Sequence, residues 1–258
     1  MQRIFFSLAV LFSLGGGVSV AWAAPIDYGD FLGTSVRYLA VTEDSATDPP
    51  PLFNAPVLVG DGLDFNPTFG SSSSGAGASD DTNGTLTFGI EALPGSVIDR
   101  VAIGESGDFT LTGFGGAGTG ASVHADVTLE IDAVDGAAPA FGLSTTEALV
   151  FSPSNGDWNL LDDGPGPLVS GTWTGFLEID VTQMLSDAGL SYVEGVTRVT
   201  LQLDNRLHTQ SESGTAAVIG KKDFDGLSFT VIPEPSSWVL CGLGLSVLGG
   251  WRRRPRER

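Results

Sequence analysis

The sequence predicts an all-β protein, a β-sandwich with jelly-roll-like or immunoglobulin-like connectivity. Several segments alternate apolar and polar residues with a period of two, which is typical of strands with one buried and one solvated face. Turn signals rich in glycine and proline, among them LPGS, VDGAAP and DDGPGP, separate these segments at short intervals. No internal repeat of roughly 20–50 residues is visible, which excludes a solenoid or a propeller.

The chain begins with the pattern of a secretory signal peptide. Arg3 supplies one positive charge, an apolar stretch follows over 4–20, and an Ala-Trp-Ala sequence provides a small-x-small cleavage site. These features are typical of a segment that is removed on export rather than of a fold element. We therefore assign residues 1–23 to a signal peptide, with a retained membrane helix as the alternative.

The strands follow from the alternation. In ASVHADVTLEIDAV, residues Val123, Val127 and Ile131 share one face, while His124 and the acids share the other. The segments GTLTFGIEA, TWTGFLEIDV, TRVTLQLDN and DGLSFTVI show the same period. Further candidate strands are 34–42, 56–65, 97–104, 107–113, 147–152 and 215–220.

One short helix and two loose segments complete the domain. The helix is expected over 181–189, because Asp180 or Thr182 can cap its start and Gly189 its end. The proline-rich segment 42–56 predicts a crossover, and the Ser/Gly-rich segment 69–84 predicts a mobile loop. Neither marks a domain boundary, because strands on both sides need partners.

Residues 24–232 therefore form one acidic domain. They carry 29 acidic and six basic residues, a net charge of −23. Such a surface repels nucleic acid and anionic lipid and attracts cations, so a nucleic-acid partner is excluded. The single cysteine of the chain, Cys241, lies outside this range, so the domain has no disulfide, no thiolate nucleophile and no cysteine-based metal site.

Acids in the turns are candidates for a structural calcium ion, the one cofactor that the sequence suggests. Hard cations prefer carboxylate, amide and backbone oxygens that converge on loops. No EF-hand pattern is present, and the alternative is that these residues simply form turns. The candidate ligands are Asp61, Asp64, Asp80, Asp81, Asp223 and Asp225.

A candidate sugar-binding loop reads SPSNGDWNLLDD. It places Trp158 among the polar residues Asn155, Asp157 and Asn159. An exposed indole beside amides and carboxylates can stack on a sugar ring and bond its hydroxyls. The alternative is that Trp158 folds back onto the core.

No catalytic constellation is recognisable. No G-x-S-x-G elbow occurs, and the two histidines, His124 and His208, have no ligand pattern around them. Acid pairs at 130/132 and 178/180 could serve glycoside hydrolysis, which uses two carboxyl groups about 5–9 Å apart. Such pairs also arise wherever an acidic protein solvates its outer sheet. We favour a non-enzymatic protein, with a secreted polysaccharide-active enzyme on a sandwich scaffold as the alternative.

The C-terminal tail, residues 233–258, predicts a short transmembrane helix. Its uncharged run over 236–251 is about 24 Å long as a helix, whereas a hydrocarbon core is about 30 Å thick. The arginines that follow would hold the end on the cytoplasmic side. A span this short, with such defined flanks, is typical of a segment that is processed.

Pro233-Glu234-Pro235, the apolar run and Arg252-Arg253-Arg254, in this order, resemble the PEP-CTERM sorting signal. The resemblance implies a Gram-negative cell whose exosortase recognises the tail, with membrane contact through the tail before processing. It also implies delivery across the inner membrane to the envelope, and then to the cell surface or an exopolysaccharide matrix. Cleavage and retention of the tail both remain open. For the domain itself, the most specific ligand hypothesis is an extracellular polysaccharide.

Overall fold

The computed structural model describes residues 24–164, 166–221 and 227–232. Two antiparallel sheets enclose one core, which confirms the all-β prediction. The predicted signal peptide, and the predicted membrane-spanning tail, lie outside these residues. Within them, no helix has the length and apolar character needed to cross a membrane.

The strands are named here in chain order. They are β1 (Ile26–Leu32), β2 (Val36–Asp44), β3 (Val57–Val59), β4 (Gly62–Phe65), β5 (Gly70–Ser74), β6 (Ala78–Ala92), β7 (Arg100–Thr112), β8 (Gly120–Val134), β9 (Leu143–Ala148), β10 (Val150–Ser152), β11 (Asp157–Asn159), β12 (Leu168–Asp180), β13 (Val196–Ser211), β14 (Ala216–Lys221) and β15 (Leu227–Ile232). One turn of 3-10 helix, Ser154–Gly156, precedes β11, and the α-helix α1 (Val181–Asp187) follows β12.

The first sheet has the order β1-β2-β6-β13-β8, and β9 and β11 both pair with the far edge of β8. The second sheet has β7 near its centre. Strand β12 pairs along one side of β7, while β14 and β15 share its other side. The sheet continues from β12 to β10, from β14 to β5, and from β15 through β4 to β3. The more specific jelly-roll-like or immunoglobulin-like connectivity stays a prediction.

The core lies between the two sheets, as the alternation predicts. Apolar residues of the long strands are buried, while their neighbours in sequence face outward. Phe88 of β6 and Phe229 of β15 meet edge to face across the core, with ring centroids 4.9 Å apart. Aromatic pairs of this geometry stabilise a core beyond the area that they bury.

The segment 69–84 is not the mobile loop that its composition predicts. It forms β5 and the beginning of β6, joined by a turn in which Gly75 and Gly77 have positive φ. Ser71 of β5 is buried, and its hydroxyl lies 2.9 Å from that of Thr209 in β13. The Ser71 side chain can therefore occupy an inward position of the strand, because its hydroxyl also bonds the backbone carbonyl of Asp80.

The crossover between β2 and β3 is held by one buried carboxylate. Glu43 is fully buried and accepts hydrogen bonds from the backbone N–H groups of Leu52 and Phe53. It also accepts one from the hydroxyl of Tyr28, at 2.6 Å. The crossover predicted from the prolines is confirmed, and the glutamate that closes it comes from the strand before it.

Helix α1 agrees with the predicted helix and has Asp180 as its N-cap. The Asp180 side chain accepts a hydrogen bond of 2.7 Å from the backbone N–H of Gln183. At the other end, Gly189 has φ of +67°, a conformation that glycine adopts without steric cost.

We expect Asp180→Ala to lower the free energy of unfolding by about 1 kcal/mol, the usual cost of losing an N-cap. Asp180→Asn is the matched control, because asparagine caps as well as aspartate does. Urea unfolding monitored by circular dichroism measures both. If the Asn variant lost as much stability as the Ala variant, the ion pair of Asp180 with Arg100 (3.6 Å) would matter more than the cap.

Candidate functional site

A polar hollow of about 140 Å³ opens where β11, β8 and β13 meet on the outer face of the first sheet. Strand pairing creates it, because Asp157 of β11 lies opposite Ser122 of β8, which in turn lies opposite His208 of β13. Its lining residues are Ala117, Gly120, Ala121, Ser122, Asp157, Trp158, Asn159, His208 and Gln210. We call it the β11 hollow.

The indole of Trp158 does not offer an open face to a ligand. It is only 1% exposed and stacks on Phe109 of β7, with ring centroids 4.3 Å apart and planes 14° apart. The expected sugar-stacking role of this ring is therefore wrong, and the alternative, that Trp158 folds onto the core, is correct. The reason is that β11 pairs with the edge of β8. Side chains alternate along a strand, so Trp158, the central residue of β11, points inward while its polar neighbours point outward.

The three polar neighbours of Trp158 have different positions. Asn155 has positive φ inside the 3-10 turn and does not line the hollow. Asn159 lines it, but its side-chain oxygen accepts hydrogen bonds from the N–H groups of Leu161 and Asp162 and so shapes the next turn. Asp157 lines it and is exposed.

Two lining side chains are free to bind a ligand. Asp157 and Gln210 are both exposed, and no other described residue hydrogen-bonds to their side chains. They lie on different strands, far apart in sequence. Sequence patterning placed Asp157 in a ligand loop but missed Gln210 and Ser122, which only the register of β13 on β8 brings to the same place.

A charged cluster lies beside the hollow. Asp81 of β6 accepts a hydrogen bond of 2.8 Å from Nε of Arg206, and its Oδ1 lies 3.0 Å from Nδ1 of His208. Partial burial by itself would raise the pKa of Asp81. The hydrogen bonds and charges of Arg206 and His208 outweigh it and hold this pKa below the usual range. The carboxylate is therefore ionised and positions the imidazole at the rim.

The calcium candidate Asp61 lies in the turn between β3 and β4, and backbone N–H groups bind its carboxylate. It accepts hydrogen bonds of 2.6 and 2.8 Å from the N–H groups of Thr34 and Ser35. Partial burial opposes the ionised form, but these bonds and that of the Ser35 hydroxyl hold the pKa of Asp61 below its usual range. Asp61 thus joins the connection between β1 and β2 to the turn between β3 and β4.

The remaining calcium candidates do not converge. Asp80 accepts a hydrogen bond of 2.8 Å from the N–H of Ser72, and Asp64 lies in β4. Asp223 and Asp225 lie outside the described residues. Among the residues that the structure describes, no three acids or histidines form a cluster fit for a metal ion. Calcium binding stays a prediction.

Three of the four acids in the pairs on β8 and β12 have cationic or hydroxyl partners. Asp132 accepts a hydrogen bond of 2.7 Å from the hydroxyl of Thr200. Glu178 and Asp180 both face Arg100, at 3.0 and 3.6 Å. These contacts suit a solvated outer sheet, where exposed ion pairs contribute little stability.

The last strand delivers the chain to one end of the second sheet. Strand β15 pairs with β7 and β4, and its final residue, Ile232, pairs with Arg100 at the start of β7. Val231 is buried in this strand.

A family model for the PEP-CTERM protein-sorting motif matches residues 231–254. The chain carries a PEP-CTERM sorting motif. The resemblance seen in the tail is thereby confirmed, and the motif supports export and exosortase as the processing partner.

The PEP-CTERM match covers the tail and only the last two residues of the domain. A comparison with curated proteins finds no match. Among solved structures, the enzymatically active domain of tailspike protein 4 from bacteriophage CBA120 is 13% identical, with a TM-score of 0.19, over 74% of this chain and 18% of the tailspike chain. The module TmCBM61, solved with β-1,4-galactotriose, is 12% identical, with a TM-score of 0.16, over 60% of this chain and 70% of its own. TM-scores this low establish no shared fold.

Proposed function

We propose that this protein is a non-enzymatic component of the cell surface or the exopolysaccharide matrix, delivered by the exosortase route. The observation that carries the proposal is the PEP-CTERM motif, whose match begins inside the last strand of a β-sheet domain. The domain is thus attached to its sorting signal without a linker. A processing cut that released the domain intact would fall after Ile232, because β15 supplies core residues such as Phe229.

We further propose that the domain binds polysaccharide at the β11 hollow. The hollow is smaller than the roughly 300 Å³ at which enclosed pockets for drug-sized ligands begin, which suits a ring or a chain end laid on the surface. Asp157 and Gln210 supply a free carboxylate and a free amide for sugar hydroxyls. The acids of the outer faces keep the delivered domain soluble and repel anionic lipid.

The sorting proposal predicts that the motif is needed for delivery. Changing Pro233-Glu234-Pro235 to three alanines should leave the protein in the cell envelope of a host that carries exosortase. Fractionation and the C-terminal mass of the product measure the outcome. The matched control is a triple alanine change at Thr145, Thr146 and Glu147 on β9, far from the tail in sequence. Normal delivery of the Pro-Glu-Pro variant with an unchanged C-terminal mass would contradict the proposal.

The binding proposal predicts a loss of affinity for the host's matrix polysaccharide. Asp157→Ala and Gln210→Ala should each weaken binding about two- to tenfold, which is the loss expected for one or two hydrogen bonds. Gln202→Ala is the matched control, because Gln202 is exposed on the same strand, β13, and outside the hollow. Affinity electrophoresis with the isolated polysaccharide, together with thermal melts, measures both effects. Equal binding by all three variants would remove the hollow from the proposal.

A further inference from the structure

Three polar side chains, an acid, an amide and an amine, lie together in the core, where apolar side chains would be expected. They are Glu105 of β7, Asn205 of β13 and Lys221 of β14, and all three are buried. Nζ of Lys221 lies 2.7 Å from Oε1 of Glu105, and Nδ2 of Asn205 donates a hydrogen bond to the same oxygen. Because both nitrogens contact one oxygen, they are at most about 5 Å apart.

The surroundings of these groups are apolar. Nζ of Lys221 lies 5.8 and 5.6 Å from the ring centroids of Phe53 and Phe69. Oε2 of Glu105 and Oδ1 of Asn205 have no hydrogen-bond partner among the described residues. A buried polar group without a partner costs stability, so a group of three with two unpartnered oxygens calls for an explanation.

Burial favours the neutral form of both ionisable groups. Desolvation raises the pKa of Glu105 above its usual range, although Lys221 and Asn205 oppose this shift. Desolvation likewise lowers the pKa of Lys221, against the attraction of Glu105. A neutral amine is a nucleophile, and a neutral carboxylic acid beside it can donate one proton and accept another.

We propose that Lys221 and Asn205 form an intramolecular amide bond, with Glu105 as the acid–base group. Nζ of Lys221 attacks the side-chain carbonyl carbon of Asn205, so the Nζ–Cγ bond forms. The Cγ–Nδ2 bond then breaks, and Nδ2 leaves as ammonia. Glu105 gives a proton to the amide group and receives the one that Nζ loses, so it ends unchanged. The reaction consumes no oxidant and no other reactant.

The bond would join the two sheets through the core, since Asn205 belongs to the first sheet and Lys221 to the second. It would also close the chain segment 205–221 into a ring, and such a cross-link stabilises by restricting the unfolded chain. The domain has no cysteine and cannot form a disulfide. An amide bond between side chains is a covalent cross-link that its residues can form. The same bond would replace a buried, titratable amine by an amide that carries no charge at any pH.

The test is a peptide map of the full-length chain. The chain folds in the expressing cell and is then purified under denaturing conditions and digested. Trypsin should release segment 199–206, which contains Asn205, still joined to segment 207–222, which contains an uncleaved Lys221. The joined species should be lighter than the two peptides together by one ammonia molecule. Glu105→Gln should instead release 199–206 and 207–221 as separate, unmodified peptides, because glutamine cannot relay the proton and trypsin can then cleave after Lys221.

Lys221→Met removes the amine and should also abolish the joined species, whereas Lys222→Arg, at the neighbouring lysine, should retain it. The wild-type map is decisive even if a core variant fails to fold. Two free, unmodified peptides from the wild-type chain would overturn the proposal. A link from Lys221 to the peptide that contains Glu105, with loss of one water molecule, would overturn Asn205 as the acyl group.

Discussion

Trp158→Ala should lower the free energy of unfolding by about 3–5 kcal/mol, as truncations of large buried aromatics do. The indole is fully enclosed and stacked on Phe109, so alanine would leave a cavity that the paired strands around it cannot close. Urea unfolding of the purified protein, followed by far-ultraviolet circular dichroism, gives the value.

Phe114→Ala is the matched control for this experiment. Phe114 is 88% exposed in the connection between β7 and β8, so its truncation should change stability by less than about 0.5 kcal/mol. A Trp158 variant that unfolds like the wild type but no longer binds polysaccharide would restore the ligand role of the ring and contradict its place in the core.

Glu43→Ala should cost about 3–5 kcal/mol, because it leaves three hydrogen-bond donors without their acceptor. Two of these are the backbone N–H groups of Leu52 and Phe53 inside the crossover, and the third is the hydroxyl of Tyr28. The crossover should then open locally. We expect faster proteolysis within 45–56 as well as a lower unfolding midpoint in urea.

Two further variants separate the carboxylate from its partners. Tyr28→Phe removes one of the three hydrogen bonds and should cost about 1 kcal/mol without exposing the crossover. Glu147→Ala removes an exposed acid from β9 and should have almost no effect. If Glu43→Ala behaved like Glu147→Ala, the crossover would be held by the packing of Phe53 and its prolines instead.

Local patterning predicted the strands well. The period-two alternation in β6, β8, β12, β13 and β15 indicates which face of each strand is apolar. The fold buries that face against the opposite sheet. Helix α1 followed from its capping residues for the same reason, since a cap acts within one turn.

The ligand loop shows where such reasoning fails. Trp158 has polar neighbours on both sides in sequence, and an isolated loop would leave it in water. Its burial depends on Asp157–Asn159 adding a short strand to the edge of β8. The prediction of a mobile loop over 69–84 fails for a similar reason, because the hydrogen-bond partners of Ser71 in β5 come from β6 and β13.

The sequence by itself determined the all-β class, the acidic composition, the absence of disulfides in the domain and the sorting motif of the tail. Each of these is a property of composition, of period or of a contiguous motif, so no distant contact enters it. Only the tertiary structure decided that Trp158 is core, that Gln210 joins Asp157 at the β11 hollow, and that Glu105, Asn205 and Lys221 meet. Those residues come from separate strands, and the register and packing of two sheets, which no local pattern encodes, bring them within reach of one another.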